Sequence, residues 1–216
     1  MSTVLKQVTP AEYLARERAA SVKSEYFKGE MFATAGGSPN HSLIAANFIG
    51  ETRQSLKDRP CEVFSSDMRI KVEATGLYTY PDATIVCGDL EFDDEVGDTV
   101  VNPTVIVEVL SESTEKYDRG RKSNHYRPIA SLKELILISE DQHGVEIFAR
   151  QDSGGWLLHE TRALDELLEL KSLGVSIAMS EIYRNVTRHS TVHTSPQNRQ
   201  EIKWCVPTHS SPPTLL

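Results

Sequence analysis

The chain has 216 residues and a formal net charge of −8, with 39% hydrophobic and 25% charged residues. This length and balance are typical of one globular α/β domain with a core of its own. No stretch approaches the ~20 apolar residues that a membrane-spanning helix needs, and the N-terminus lacks the apolar run of a signal peptide. We therefore expect a cytoplasmic protein that makes no contact with a membrane.

The negative charge limits the kind of partner that the protein can hold tightly. A protein that binds DNA mainly through its phosphates usually presents a basic surface. The net charge therefore argues against tight, non-specific DNA binding, but it leaves room for a local basic strip beside an acidic site.

Three cysteines, Cys61, Cys87 and Cys205, lie far apart along the chain. An odd number at such spacing fits neither a disulfide framework nor a zinc site. A reducing cytoplasm is the expected environment on this ground as well.

The first half of the chain predicts two helices, a hairpin and two further strands. A Thr-Pro pair opens residues 9–23, which predict a short helix with its N-cap. Residues 24–33 predict two strands joined by a tight Lys-Gly turn. Apolar residues at helical spacing predict a helix from 41 to about 56. Strands are predicted at 62–72 and 80–87.

The second half predicts two buried strands separated by a helix. The segment 104–110 is almost continuously apolar and β-branched, as is typical of a strand buried on both faces of a sheet. Residues 111–126 predict a helix that Pro128 ends. The other predicted segments are an acidic solvated loop at 89–98, strands at 132–139, 145–150 and 156–159, a strand or helical turn at 164–173, and a last helical turn at 180–186.

This alternation predicts an α/β fold with a mixed central sheet flanked by helices, in which strands 80–87, 104–110 and 132–139 are adjacent. We assign residues 1–187 to this domain. Residues 188–216 are polar and rich in Ser, Thr, Pro and His, and predict a disordered tail.

Two carboxylates interrupt the apolar strands of this predicted sheet. Glu108 lies inside the segment 104–110, where an isolated carboxylate is costly to bury unless a metal, a cation or open solvent compensates it. Asp82 lies near the start of the neighbouring strand, and adjacent strands are ~4.8 Å apart. Mg²⁺ is typically held by one or two carboxylates, waters and phosphate oxygens. Asp82 and Glu108 at matching heights are therefore predicted ligands of Mg²⁺ (or Mn²⁺).

A run of basic residues follows the strand that carries Glu108. Segment 116–127 holds five cations against one aspartate: Lys116, Arg119, Arg121, Lys122 and Arg127. A helix packed on that strand would turn one of these cations toward the carboxylates. Phosphodiester hydrolysis uses such an arrangement, because the metal acidifies a bound water and a lysine orients that water or stabilises the developing charge. The rest of the strip could contact the substrate backbone.

These residues resemble the pattern of the Uma2 family, also known as DUF820, which are restriction-endonuclease-like proteins of the PD-(D/E)XK superfamily. The residues that carry the resemblance are Pro81-Asp82, Glu108-Val109-Leu110-Ser111, Thr114, Asp118, Lys122 and Tyr126, with Glu25, Gly29-Glu30 and His41 upstream. The resemblance covers about residues 8–185. One position departs from the parent motif, because Leu110 stands where the superfamily has lysine. In Uma2-like proteins that lysine has moved to the following helix, which matches Lys122.

The resemblance implies a restriction-endonuclease-like core and a metal-dependent endonuclease acting on DNA. It implies catalytic roles for Asp82, Glu108, Lys122 and Glu25. The candidate substrate contacts are His41, Arg119 and Arg121. Because cutting both strands of a duplex calls for two sites, we also expect a homodimer.

Each candidate also has a structural explanation. Asp82 could cap a strand entry, Glu108 could pair with a basic residue on the next helix, and Lys122 could be a solvated helix lysine. Tyr126 is expected to pack and not to act. If Glu108 is a metal ligand, replacing it with alanine should relieve repulsion between clustered carboxylates and leave the metal-free fold as stable or slightly more so.

Two other functions compete with an active nuclease. A catalytically degenerate nuclease fold could serve as a binding or interaction module, which the net charge of −8 favours. A structural protein that dimerises through exposed strands would explain the fold but not the carboxylates.

Overall fold

In the computed structural model, the described residues are 7–34, 36–111 and 114–187. The predicted tail, 188–216, and Cys205 within it lie outside these ranges. Over the described part of the chain, no helix is both long enough and apolar enough to cross a membrane.

The described residues form thirteen strands and several short helices around two longer ones. In chain order the elements are α1 (Pro10–Ala19), β1 (Ser24–Phe27), β2 (Glu30–Ala33), α2 (Pro39–Ser55), β3 (Cys61–Ser65), β4 (Arg69–Val72), β5 (Leu77–Thr79), β6 (Ala83–Cys87), β7 (Thr99–Val100), β8 (Val105–Leu110), α3 (Glu115–Tyr117), a π-helical turn (Asp118–Lys122), α4 (Ser123–Tyr126), β9 (Glu134–Ser139), β10 (Val145–Arg150), β11 (Trp156–Thr161), β12 (Leu167–Leu170), β13 (Val175–Ala178) and α5 (Met179–Ile182).

A six-stranded mixed sheet, in the order β11-β10-β9-β8-β6-β3, forms the centre of the fold. Strand β8 runs antiparallel to β6 and parallel to β9. The prediction that strands 80–87, 104–110 and 132–139 are adjacent is confirmed. All six residues of β8 are buried, as its continuous apolar run predicts.

The two faces of β8 belong to two different cores. Val105, Val107 and Val109 pack with helix α2 in one core. Ile106 and Leu110 pack in the other, which also contains residues of α4 and β9. Because side chains alternate along a strand, Glu108 lies on the same face as Ile106 and Leu110. The carboxylate therefore points toward the helical segment that follows β8.

The second sheet has five strands, in the order β2-β1-β5-β4-β7. The prediction of one strand over 62–72 is wrong, because the chain turns after Ser65 and β3 and β4 join different sheets. The predicted strand 80–87 begins only at Ala83, and β5 precedes it. Partial alternation of apolar and polar residues indicates that a segment is extended. It does not indicate which sheet the segment joins, because strand pairing depends on partners that are distant in sequence.

The predicted N-cap at Thr9 and the predicted turn at Lys28-Gly29 are confirmed, although the helix ends at Ala19 and not at residue 23. Thr9 caps α1 in a capping box, accepting from the Glu12 amide while the Glu12 side chain accepts from the Thr9 amide. The hairpin turns at Lys28 and Gly29, both with positive φ (48° and 89°). Such a turn matches the twist of the two strands that it joins, and glycine adopts it without steric cost.

The acidic segment 89–98 is a largely exposed loop, as composition predicts, but three of its aspartates are bound by the rest of the domain. The Asp93 carboxylate accepts hydrogen bonds from Lys71 and from the Tyr78 hydroxyl. Arg18 binds Asp94 at 2.7 Å and Asp98 at 2.8 Å. These contacts attach the segment to α1 and to the second sheet, because the fold supplies cations that are far away in sequence.

Cys61 and Cys87 form a disulfide, so the expectation that the cysteines fit no disulfide is wrong for this pair. The two residues are 26 apart in sequence, but β3 and β6 run antiparallel and make them register partners. Spacing along the chain could not show this, because only the pairing of the strands brings the thiols together.

Candidate active site

Asp82 and Glu108 meet because β6 and β8 are antiparallel neighbours. Ala83 lies opposite Val107, so the next position along the ladder sets Asp82 beside Glu108. The contact is direct, since Asp82 Oδ2 accepts a hydrogen bond of 2.7 Å from the Val109 amide. The structure thus places the two predicted acids at the same height on adjacent strands.

The Glu108 carboxylate is buried, with only 3% of the residue exposed. Its Oε1 atom accepts a hydrogen bond of 2.5 Å from the Tyr126 hydroxyl and lies 2.9 Å from Lys122 Nζ. Burial raises the pKa of Glu108; the Lys122 ammonium opposes that rise and Asp82 adds to it. The ammonium thus stabilises the ionised form of this carboxyl.

Lys122 reaches the carboxylates from a π-helical turn that begins at Asp118. The wide turn closes with a hydrogen bond from the Ser123 amide to the Asp118 carbonyl. Both Asp118 and Lys122 are buried against the sheet. Single π-helical turns inside a helix are frequent at functional sites, because the extra residue redirects side chains.

Three carboxylates surround the Lys122 ammonium. Its Nζ atom lies 2.9 Å from Glu108, 3.4 Å from Glu25 and 3.8 Å from Asp118. Burial by itself lowers the pKa of Lys122, but Glu108 and the other groups outweigh burial and hold this pKa well above its usual value. The lysine is therefore a permanently charged donor inside the site.

Glu25 comes to the site from β1 of the second sheet. One of its carboxylate oxygens accepts a hydrogen bond from Thr79, and the other lies 3.4 Å from the Tyr117 hydroxyl. The hairpin β1–β2 thus brings a third acid to the cleft, as the resemblance implies.

His41 lies in the first turn of α2, on the other side of Asp82. Its Nε2 atom is 3.2 Å from Asp82 Oδ2. The hydrogen bond to Asp82 raises the pKa of His41, and burial opposes that rise. A Cβ atom at Gly37 would lie only 2.5 Å from the His41 ring, so glycine there allows the loop to cover the imidazole closely.

The four predicted catalytic residues, Asp82, Glu108, Lys122 and Glu25, line one cavity of about 360 Å³, together with His41. We call this cavity the acid cleft. Its walls also include Asp118 and Tyr117. The structure therefore brings together all the residues for which sequence predicts a catalytic role.

Arg119 and Arg121 do not line the acid cleft as it is described. The Arg119 guanidinium forms ion pairs with Glu115 and Glu146, and Arg121 is exposed. If these two arginines contact the substrate, as predicted, they contact the part of it that extends beyond the cleft.

Sequence reasoning assigned Tyr126 to packing and gave Asp118 no role of its own. The structure buries both at the site, with the Tyr126 hydroxyl on Glu108 and the Asp118 carboxylate near Lys122. Their spacing from Lys122, four residues to either side, is a signal that could have identified them, since residues at that spacing share a helix face.

The donor set fits a weakly held hard cation. Among the residues that the structure describes, no three His, Cys, Asp or Glu side chains are grouped so as to hold a metal ion. The contacts above, however, all fall on Oδ2 of Asp82 and Oε1 of Glu108. Each carboxylate therefore has a second oxygen outside these contacts, and both residues line the acid cleft. Such a pair suits Mg²⁺, which keeps several waters and needs only one or two carboxylates.

This fold and this cleft define a protein of the restriction-endonuclease-like class. A family model with the description "Uma2: Putative restriction endonuclease" matches residues 10–180. The chain belongs to the Uma2 family. That description supports a nuclease as the broad class of activity.

Two relatives from Synechocystis sp. (strain ATCC 27184 / PCC 6803 / Kazusa) are similar over most of the chain. "Uncharacterized protein slr1290" is 36% identical over 185 residues, which cover 86% of this chain and 96% of that protein. "Uncharacterized protein sll1609" is 37% identical over 155 residues, which cover 72% of this chain and 88% of that protein.

The fold is also similar to a solved structure, that of "a putative nuclease belonging to DUF820 from Anabaena variabilis ATCC 29413". The TM-score is 0.62 at 17% sequence identity, over 76% of this chain and 91% of that one. At this identity the likeness shows the fold alone.

Proposed function

We propose that this protein is a divalent-metal-dependent endonuclease that hydrolyses phosphodiester bonds of DNA. The observation that supports the proposal best is the buried Lys122 ammonium beside two strand-borne carboxylates in one open cleft. Burying charges in this way is costly. Their placement is readily explained by a reaction in which negative charge develops on a phosphoryl oxygen.

The chain's own groups have distinct tasks in this proposal. Asp82 and Glu108 would hold Mg²⁺ or Mn²⁺, which supplies an acidified water and polarises the phosphoryl group. Lys122 donates a charged hydrogen bond to the oxygen on which charge develops, or orients the attacking water. Tyr126 holds the Glu108 carboxylate in place, and His41 does the same for Asp82.

Metal titration by calorimetry, with plasmid cleavage in parallel, tests the proposal. Glu108→Ala should abolish both Mn²⁺ binding and cleavage. Lys122→Ala should retain metal binding but lower turnover by about 10²–10³-fold, the usual effect of removing one preorganised charge-stabilising donor. Matched controls are Glu62→Ala and Lys57→Ala, which remove exposed charges of the same types and should change neither measurement.

One observation favours a second function, a degenerate nuclease fold that binds without cutting. The Lys122 ammonium already pairs with Glu108, and the described residues offer no group of three metal ligands. This function would be established instead if the wild type binds DNA but shows neither a heat of metal binding nor cleavage. An RNA transcript assayed beside the plasmid decides between DNA and RNA as substrate.

The proposal has two further parts. Cutting both strands of a duplex calls for two acid clefts, and a twofold homodimer is the common solution. We also propose that the enzyme acts in the cytoplasm. A reducing cytoplasm disfavours the Cys61–Cys87 bond, so quantifying free thiols in protein purified under alkylating conditions tests that location.

A further inference from the structure

A second cavity opens directly beside the acid cleft. It has a volume of about 550 Å³, and we call it the side recess. Both cavities share the same dividing wall, which consists of Thr34, Gly36, Gly37, His41, Tyr80 and Asp82. A group bound in the side recess is therefore adjacent to whatever occupies the acid cleft.

The side recess is walled by small side chains. Helix α2 turns one face toward it, formed by Ser42, Ala45, Ala46 and Ile49 below His41. These positions are one and three to four residues apart, as on a single helix face. Ser65 and Ser66 lie in the opposite wall. Small residues leave room for a flat ring, and the volume is in the range of cavities that take small organic groups.

Tyr80 supplies a fixed aromatic ring to this wall. Its hydroxyl donates to Glu17 at 2.8 Å and accepts from Arg69 at 2.9 Å, so the ring is anchored at its far end. Arg69 is itself buried. Unstacked bases bind on aromatic rings held in this manner. Here a base would share the ring with the Lys23 ammonium, 5.4 Å from the ring centroid, and with the Arg69 guanidinium at 5.8 Å.

The charges of the recess favour a base over a chain of phosphates. Lys23 lies in its lining, but the Lys23 ammonium already binds Asp67 at 2.6 Å and the Ser66 carbonyl at 2.8 Å. Among the described residues of the lining there is also no Arg, Asn or Gln, the side chains that read base edges with paired hydrogen bonds. Binding there should therefore depend on ring stacking and should tolerate different bases.

We propose that the side recess binds the base of an unpaired nucleotide next to the scissile phosphate, so that the preferred substrate is DNA with unpaired or extruded nucleotides. The proposal rests on the nuclease function and narrows its substrate. A base inside a stacked duplex cannot enter a recess in a protein wall, whereas a nucleotide out of its stack can. The shared wall at His41 and Asp82 makes base and phosphate neighbours.

Fluorescence anisotropy in EDTA tests this without any cleavage. The probes are a fully paired fluorescein-labelled duplex and the same duplex with one unpaired nucleotide at its centre. Wild type should bind the second probe about tenfold more tightly, the effect of one stacked base. Raising the salt concentration should weaken both complexes and leave their ratio unchanged.

Single substitutions test whether the preference for the unpaired nucleotide arises in the side recess. Ala46→Trp places an indole in the recess from an exposed helix position and should reduce the preference below about twofold. Ala15→Trp makes the same change on the exposed face of α1 and should retain it. Tyr80→Phe keeps the ring and should keep the preference, whereas Tyr80→Leu should lose it. Because neither variant has the hydroxyl, a difference between their preferences is due to the aromatic ring.

Equal binding of the two probes by wild type would overturn the proposal, as would a preference that survives in Ala46→Trp or in Tyr80→Leu. The anisotropy assay contains no metal, so its result is independent of catalysis. A preference without cleavage of either the plasmid or the probe with the unpaired nucleotide, both assayed in Mn²⁺, would overturn the nuclease function and leave the recess as a nucleotide site. Cleavage without a preference would overturn the recess alone.

Discussion

Replacing Glu108 with alanine should destabilise the metal-free protein, although the sequence alone predicts a neutral or slightly favourable effect. That expectation counts only repulsion among the acids. The structure adds the Lys122 ammonium, 2.9 Å from Glu108 and only 6% exposed as a residue. Alanine therefore removes the nearest counter-charge of a buried cation.

The size of the loss follows from what remains around Lys122. Removing one partner of a buried ion pair costs about 3–5 kcal/mol when the other charge is left alone. Here Glu25 at 3.4 Å and Asp118 at 3.8 Å still face the ammonium. We therefore expect a loss of about 2–3 kcal/mol in the free energy of unfolding, below the full cost of an unpaired charge.

Urea denaturation in EDTA measures this free energy, with Glu62→Ala as an exposed glutamate control that should stay within about 0.5 kcal/mol of wild type. In the double variant Glu108→Ala/Lys122→Met no cation is left without its partner, so the two substitutions together should cost less than their sum. A Glu108→Ala protein as stable as wild type, or additive effects in the double variant, would refute the reasoning from the ion pair.

Three other predictions concern the fold and its assembly. The guanidinium of Arg18, with Arg69 nearby, holds the pKa of Asp98 below its usual value, so Asp98→Asn should cost about 1 kcal/mol above pH 5. Because a lowered carboxyl pKa stabilises the folded state only while the group is ionised, the difference from wild type should shrink as pH falls below about 4 in thermal melts. Removing residues 188–216 should leave melting temperature and cleavage unchanged, and a drop of several degrees would show that the tail packs on the domain. Light scattering at micromolar concentration should give the mass of a dimer, and a monomer mass would count against two-site cutting.

Much of the fold could be predicted because its signals are local. The Thr9 N-cap, the Lys28-Gly29 turn and the apolar run of β8 each depend on neighbouring residues, and each is confirmed. Backbone propensity and side-chain periodicity depend on only a few neighbouring residues. They can therefore be recognised in the sequence without knowledge of the rest of the molecule. The same holds for Asp82 and Glu108, since acids at the start of one strand and inside another are visible in the sequence.

The arrangement of charges was decided by tertiary structure. Lys122 could be picked out as a candidate, but nothing in the sequence shows that its ammonium lies among Glu108, Glu25 and Asp118. These distances depend on the π-helical turn, on the hairpin that carries Glu25 and on the packing of both against the sheet. Small rotations of a helix move a side chain by several ångströms, and the sequence pattern leaves such rotations open.

Pairing across the sheets was also decided only by the tertiary structure. It separated β3 from β4, joined Cys61 to Cys87 and attached the acidic segment to Arg18. The composition of each segment is compatible with several partners, and the partner that wins is the one that buries the most apolar surface across the whole domain. The sequence, with its resemblance to the family, therefore identified Asp82, Glu108, Glu25 and Lys122 as candidates, whereas the three-dimensional packing added Asp118 and determined that they form one charged cluster with the side recess beside it.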